Sequence, residues 1–316
     1  MIANASPKYQ ALVVAGLAGY VEYSDLTLLF HSVSNRNRVI KELKEDGLIS
    51  IVANDGLRCM NLTKKGRDHV AEKYPGIKLF TSYSGSVVRR HRRCVVAKLL
   101  INMALWKIPI SLTDIEGMYF FPGKVETMDL VMRQGRMSGI LSTPHMDFHA
   151  YQLGQKGLRW NDTAELNQMN ATRMVRGKDV GMIVFAEGYQ AFTDILKTSA
   201  DNPMRIRNQN NAWIHLPDYF PKIYFIGCED AETAKLELLT IADKEATAIF
   251  DEVFGGSNCL IPMDGRKLYR LTHIAEKQTV FVQEAYAGYL KELMPQHEVI
   301  GVPTDGVRQV LYGEEE

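Results

Sequence analysis

Residues 32–67 read SVSNRNRVIKELKEDGLISIVANDGLRCMNLTKKGR, and this stretch decides the fold of the amino-terminal part. Ser32-Val33-Ser34-Asn35 is a turn rich in capping residues. From Asn35 onward Val39, Ile40 and Leu43, with Leu48, recur at helical spacing, and Gly47 stops the helix. Leu48–Val52 and Leu57–Leu62 are short strand-like runs around Asn54-Asp55-Gly56. Asp-Gly between two such runs marks a hairpin, because its tight turn needs positive φ. Thr63 then caps a helix that opens Lys64-Lys65-Gly66-Arg67.

Working outward, Ser6-Pro7 places a capping residue before a proline at a helix start, and Leu12, Val13, Leu17 and Val21 follow at helical spacing. Ser24 precedes the short apolar run Leu26, Leu28, Leu29, Phe30, which predicts a second helix under three turns. The order helix, helix, helix, hairpin, helix over about residues 7–75 resembles winged helix-turn-helix DNA-binding domains. The polar run Thr81–Ser86 ends this first domain near residue 85, leaving 86–316 as a second, mixed α/β domain.

The third helix carries Asn35, Arg36, Asn37, Arg38, Lys41 and Lys44 largely away from its apolar positions. Arg and Asn make bidentate contacts to guanine and adenine in the major groove, and a recognition helix reads bases with its amino-terminal residues. Arg58 in the hairpin, with Lys64, Lys65 and Arg67 after it, supplies cations for neighbouring phosphates. Charge distribution agrees: residues 1–93 hold 15 Lys+Arg against 8 Asp+Glu, a net of +7, and since the whole chain sums to zero the remainder carries −7. A basic first third suits a polyanionic partner such as double-stranded DNA. Arg89-Arg90-His91-Arg92-Arg93 extends that contact, clamps an acidic partner or forms a solvated helix start.

Beyond residue 130 strand-like and helical segments alternate. Ser138–Thr143 and Phe148–Leu153 read as strands joined by a turn at residues 144–147, followed by a helix over Thr163–Val175. Val180–Ala186 is a strand and Gly188–Thr198 a helix. Trp213–Leu216 and Lys222–Gly227 read as strands, Ala231–Ala242 as a helix, Gln278–Met294 as a long helix and Val299–Val302 as a strand. Cys59, Cys94, Cys228 and Cys259 are scattered, without the close spacing of a zinc or redox motif, and read as buried thiols in a reducing compartment. No apolar run approaches a membrane span, so the chain is expected to be cytoplasmic and without membrane contact.

The winged helix, the segment Val-Arg-Arg-His-Arg-Arg at 88–93, and Gly139-Ile140-Leu141-Ser142-Thr143-Pro144 running through residues 148–161 (FHAYQLGQKGLRWN) resemble the replication-relaxation family of plasmid and mobile-element proteins. The resemblance implies a second domain similar to the restriction-endonuclease-like fold and a role in plasmid replication, DNA relaxation or conjugative transfer. A nuclease of that fold needs two carboxylates to hold magnesium against a phosphate. The matching strands carry none: Asp147 falls in the turn and Glu165 on the next helix, where solvation explains them, so the second domain reads as degenerate. His145 and His149 lie too far apart on an extended strand to share a metal. Phosphate-loop, serine-hydrolase and His-x-His signatures are missing. The expectation is a DNA-binding accessory protein rather than an enzyme, with no cofactor or metal. The expected partners are double-stranded DNA, a second copy of the chain in a homodimer, and a relaxase or replication protein. A metal-dependent nicking enzyme and a ligand-sensing transcriptional regulator are the alternatives.

Overall fold

The computed structural model describes residues 5–54, 56–81, 86–112, 118–120, 137–153, 162–188, 191–192, 219–254 and 256–312. The chain is a mixed α/β protein that divides into two compact units, Met1–Arg133 with Ser138–Ile140, and Gln134–Met137 with Leu141–Glu316. The division does not fall at residue 85. Helix α5 (Val87–Leu105) packs against α1 (Pro7–Ala18), β1 (Val21–Glu22) and β3 (Leu57–Leu62), so the first unit needs it to close its core.

In the first unit α1 is buried from Gln10 through Ala18, as befits a helix apolar on all sides. Gly19 ends it at φ +92°, and a Cβ there would meet the Phe80 ring at 2.4 Å. Val21, expected on this helix, instead lies in β1 and pairs antiparallel with Met60 of β3. The helical spacing of Val21 was coincidental, because Gly19 had already stopped the helix. Helix α2 (Leu26–Phe30) is short, as expected. Helix α3 (Val33–Glu45) begins two residues before Asn35, capped by Ser32, whose Oγ accepts from the Asn35 amide at 3.1 Å. Strands β2 (Ile49–Asn54) and β3 pair antiparallel from Ile49↔Leu62 to Asn54↔Leu57, and Gly56 has the positive φ, +77°, expected at the hairpin end. Helix α4 (Lys64–Lys73) is capped by Thr63, whose Oγ accepts from Gly66 N at 3.0 Å. Gly66 is obligatory here, since a Cβ would lie 1.9 Å from the Leu48 carbonyl oxygen. The unit also holds the short parallel pair β4 (Ile110–Ser111) and β5 (Tyr119–Phe120).

The second unit is built on parallel strands. After β6 (Gly139–Ser142), which spans the division between units, β7 (Met146–Gln152) pairs with β8 (Asp179–Ala186), and β8 pairs with β9 (Ile223–Gly227). Helix α6 (Asp162–Arg176) is the crossover between β7 and β8. Every residue of β8 after Asp179 is buried, the continuous apolar run of a strand covered on both faces. Helices α7 (Ala231–Ala242), α8 (Lys244–Val253) and α9 (Gly265–His273) follow β9. The expected long helix over Gln278–Met294 is instead strand β10 (Thr279–Gln283) followed by helix α10 (Glu284–Leu293). Strand β10 pairs in parallel with β11 (Glu298–Val302), from Thr279↔Glu298 to Gln283↔Val302. Val280 and Val282 bury on the two-residue period while Tyr286, Ala287 and Leu290 bury on the helical one, and the two patterns run together in the sequence. Helix α11 (Thr304–Tyr312) closes the described chain. The strand expected at Trp213–Leu216 and most of the helix expected at Gly188–Thr198 lie outside the described residues.

Candidate nucleic-acid interface

Helix α3 and the β2–β3 hairpin flank a shallow open groove lined by Tyr23, Asn37, Lys41, Lys44, Ala53 and Arg58. The groove exists because Leu43 and Val39 bury one face of α3, which turns Asn37, Lys41 and Lys44 outward. Arg58 alternates with the buried Leu57 and Cys59 on β3 and so stands on the exposed face.

Tyr23 joins the two walls. Its ring carries the Arg58 guanidinium at 3.9 Å and the Arg36 guanidinium at 4.4 Å from the centroid. Its hydroxyl donates to Asn37 Oδ1 at 2.9 Å. Arg36 is half-buried and makes four hydrogen bonds: Nε and Nη2 to Asn37 Oδ1 at 3.2 and 3.1 Å, and Nη1 to Tyr23 O at 3.3 Å and Thr27 Oγ1 at 2.8 Å. A guanidinium has five N–H donors, so the two-point contact to guanine expected of Arg36 is no longer open to it. Asn35 is likewise committed to the framework, donating from Nδ2 to Phe30 O at 3.2 Å and accepting at Oδ1 from Arg38 Nη2 at 2.9 Å.

The remaining expected residues stand on the surface. Arg38 is exposed and pairs with Glu42 at 2.6 Å, and Lys41 pairs with Glu45 at 3.8 Å, both one helical turn apart. Lys65 Nζ donates to Asp46 O at 2.8 Å, and Arg67 Nη1 to Leu62 O at 3.3 Å. Lys64 is exposed on the first turn of α4. Among the described residues, Lys44 and Arg58 have neither an ion pair nor a side-chain hydrogen bond, and both face the groove. The arginine run enters α5 without forming one patch: Arg89 and Arg92 are exposed, Arg90 is buried, and Arg93 lies over the Phe80 ring at 4.4 Å, where burial pulls its pKa down.

Two features of this unit had no signature in the sequence. Tyr23 is one of fourteen tyrosines and only the folded chain brings it between two arginines. Cys59 and Cys94, 35 positions apart, meet with their sulfurs 3.4 Å from one another, and the Cys59 contact together with burial pushes the Cys94 thiol up.

Comparison with protein-family models, with curated proteins and with solved structures finds no match. No helix among the described residues is long and apolar enough to cross a membrane.

In the second unit the expectation that Asp147 and Glu165 are solvated is overturned. Asp147 lies inside β7, not in the turn, and is fully buried. Arg176 Nε donates to it at 2.7 Å, Ser142 Oγ donates at 2.7 Å, and Lys178 stands at 4.0 Å. Glu165, also fully buried, accepts from the Tyr151 hydroxyl at 2.8 Å, and burial with that neighbour holds the Tyr151 pKa well above the usual phenol value. His149 is buried beside Thr172, 2.9 Å from its Oγ1, and burial pulls its pKa down to about 3, whereas His145 is exposed. Glu237 is enclosed by the Met263 amide at 2.9 Å and the Gln283 amide, and burial pushes its pKa up to about 8. No group of three His, Cys, Asp or Glu side chains among the described residues is placed to hold a metal ion.

Proposed function

We propose that the first unit is a winged helix-turn-helix that holds double-stranded DNA, with α3 along the major groove and the β2–β3 hairpin against the adjoining backbone. The observation that carries this reading is the pair Lys44 and Arg58. They come from different elements, face one groove, and have no anionic partner among the described residues. Cations left uncompensated at the surface bind phosphates by releasing condensed counterions. Arg38, Lys41, Lys64 and Lys65 are exposed as well, and the intrahelical pairs of Arg38 and Lys41 are weak enough for a phosphate to displace.

The second unit serves as the body that couples this module to replication or transfer partners of a plasmid or mobile element. The charge asymmetry supports that role, since the acidic remainder of the chain repels DNA and leaves its own surface to proteins. A catalytic reading has less to stand on, because Asp147 is neutralised by Arg176 and Glu165 is held by Tyr151.

Fluorescence anisotropy of a labelled duplex, titrated at several potassium chloride concentrations, tests the reading. Binding should weaken steeply with salt, and Lys44→Ala and Arg58→Ala should each reduce the salt slope by about one. Titrations of both variants that superimpose on the unsubstituted protein would remove the proposal.

A further inference from the structure

We propose that Asn37 is a specificity-determining residue of this interface: a carboxamide locked as a hydrogen-bond donor, which selects guanine and rejects cytosine at one position of the bound duplex. The inference rests on the DNA-binding reading above and adds to it the chemistry of the base that is read.

Asn37 Oδ1 accepts from the Tyr23 hydroxyl and from Arg36 Nε and Nη2, at 2.9, 3.2 and 3.1 Å. A guanidinium has donors and no acceptor, so the atom facing Arg36 must be the amide oxygen; rotating the carboxamide would set N–H groups against N–H groups. The orientation is therefore chemically forced. Arg36 is itself tethered to Tyr23 O and Thr27 Oγ1, and Tyr23 is stacked between Arg36 and Arg58, so the anchor does not swing with the side chain it holds. Asn37 Nδ2 has no partner among the described residues, and the side chain is exposed on the groove wall.

An unconstrained Asn on a recognition helix pairs with adenine at two points, accepting from N6 and donating to N7. That pairing needs a free oxygen, and the oxygen of Asn37 is taken three times over. What remains is one NH2 group with two hydrogens. In the major groove guanine offers two acceptors, N7 and O6, whereas adenine offers one acceptor beside a donor, and cytosine presents its N4 donor. A donor-only group gains on guanine, gains less on adenine, and meets cytosine donor to donor. One unsatisfied donor facing another costs about as much as a lost hydrogen bond, which corresponds to a preference of roughly five- to tenfold.

The test is selection from a pool of random duplexes by the full-length protein, by Asn37→Ala, by Asn37→Asp and by Lys44→Ala, with sequencing of the retained DNA. The unsubstituted protein should favour guanine over cytosine at one position by about five- to tenfold. Asn37→Ala should flatten that position to within about twofold while leaving the others. Asn37→Asp, whose second oxygen accepts, should move the preference toward cytosine. Unchanged profiles for both Asn37 variants, or an Asn37-dependent position that prefers adenine, would overturn the inference and leave the DNA-binding reading standing, provided Lys44→Ala still lowers retention. If the unsubstituted protein retains no duplex, both fall together.

Discussion

The Arg58 guanidinium carbon lies 3.9 Å from the centre of the Tyr23 ring, on an aromatic that also carries Arg36 at 4.4 Å. One side chain thus ties a strand of the hairpin to the outer face of α3, beside the apolar Ile40 and Ile51 that also line the groove. Tyr23→Phe should remove only the bond to Asn37, about 1 kcal/mol. Tyr23→Ala should lose roughly 1–2 kcal/mol more with the two stacks. Hydrogen exchange of the amides in α3 and β3 reads both, and identical protection in the Phe and Ala variants would show that the stacking contributes nothing.

Gly66 sits where α4 crosses the backbone of Leu48. A methyl group there would lie 1.9 Å from the Leu48 carbonyl oxygen, and backbone cannot move aside as a side chain does. Gly66→Ala is expected to destabilise the first unit by about 3 kcal/mol, the upper part of the overpacking range. A calorimetric trace that matches the unsubstituted protein would contradict the close approach.

Arg176 and Asp147 form an ion pair whose carboxylate is wholly enclosed. Arg176→Ala leaves that charge without its main partner and should cost about 3–5 kcal/mol of stability. Arg173, which reaches Asp179 at 3.6 Å across exposed surface, provides the contrast: Arg173→Ala should cost under about 1 kcal/mol. Equal losses in urea unfolding would mean that burial does not distinguish the two pairs.

Glu237 predicts a pH dependence of definite sign. Its pKa rises from the ordinary 4.5 to about 8 in the folded chain, so over that interval the unfolded chain has released a proton that the folded chain still holds. The stability contributed by the neutral acid is complete below pH 4.5 and is lost as pH rises through about 8. His149 works the other way: its folded pKa of about 3 lies below the usual 6.5, so its contribution is present above pH 6.5 and lost as pH falls toward 3. The two slopes oppose one another below pH 6.5, so urea midpoints measured from pH 6.5 to 8 should fall with pH for the native chain and fall less for Glu237→Gln. Parallel curves for the two proteins would refute the buried acid.

Much of the first unit was legible because its signals are local. Helix spacing, the Ser32 and Thr63 caps and the Asp-Gly turn each act within a few residues, and the structure has helices and a hairpin where those signals stand. Val21 and the Thr279–Gln283 strand were misread because an apolar residue at one position satisfies the helical and the extended period alike. What chose between them was a partner far along the chain, Met60 for Val21 and β11 for β10. Asp147 and Glu165 were misread for a related reason. Charge alone argues for solvent, and only the approach of Arg176 and Tyr151 makes burial tolerable.

By itself the sequence determined which elements form near the amino terminus and how many cations they carry, since periodicity, capping and composition are properties of neighbouring residues. Tertiary structure alone decided which of those cations and amides remain available. Folding brought Tyr23 and Thr27 against Arg36, closed Asn35 on Phe30 and Arg38, and left Lys44, Arg58 and the amide nitrogen of Asn37 facing the groove. A hydrogen-bonding group is defined by the partners it already has, and those partners are supplied by residues remote in sequence.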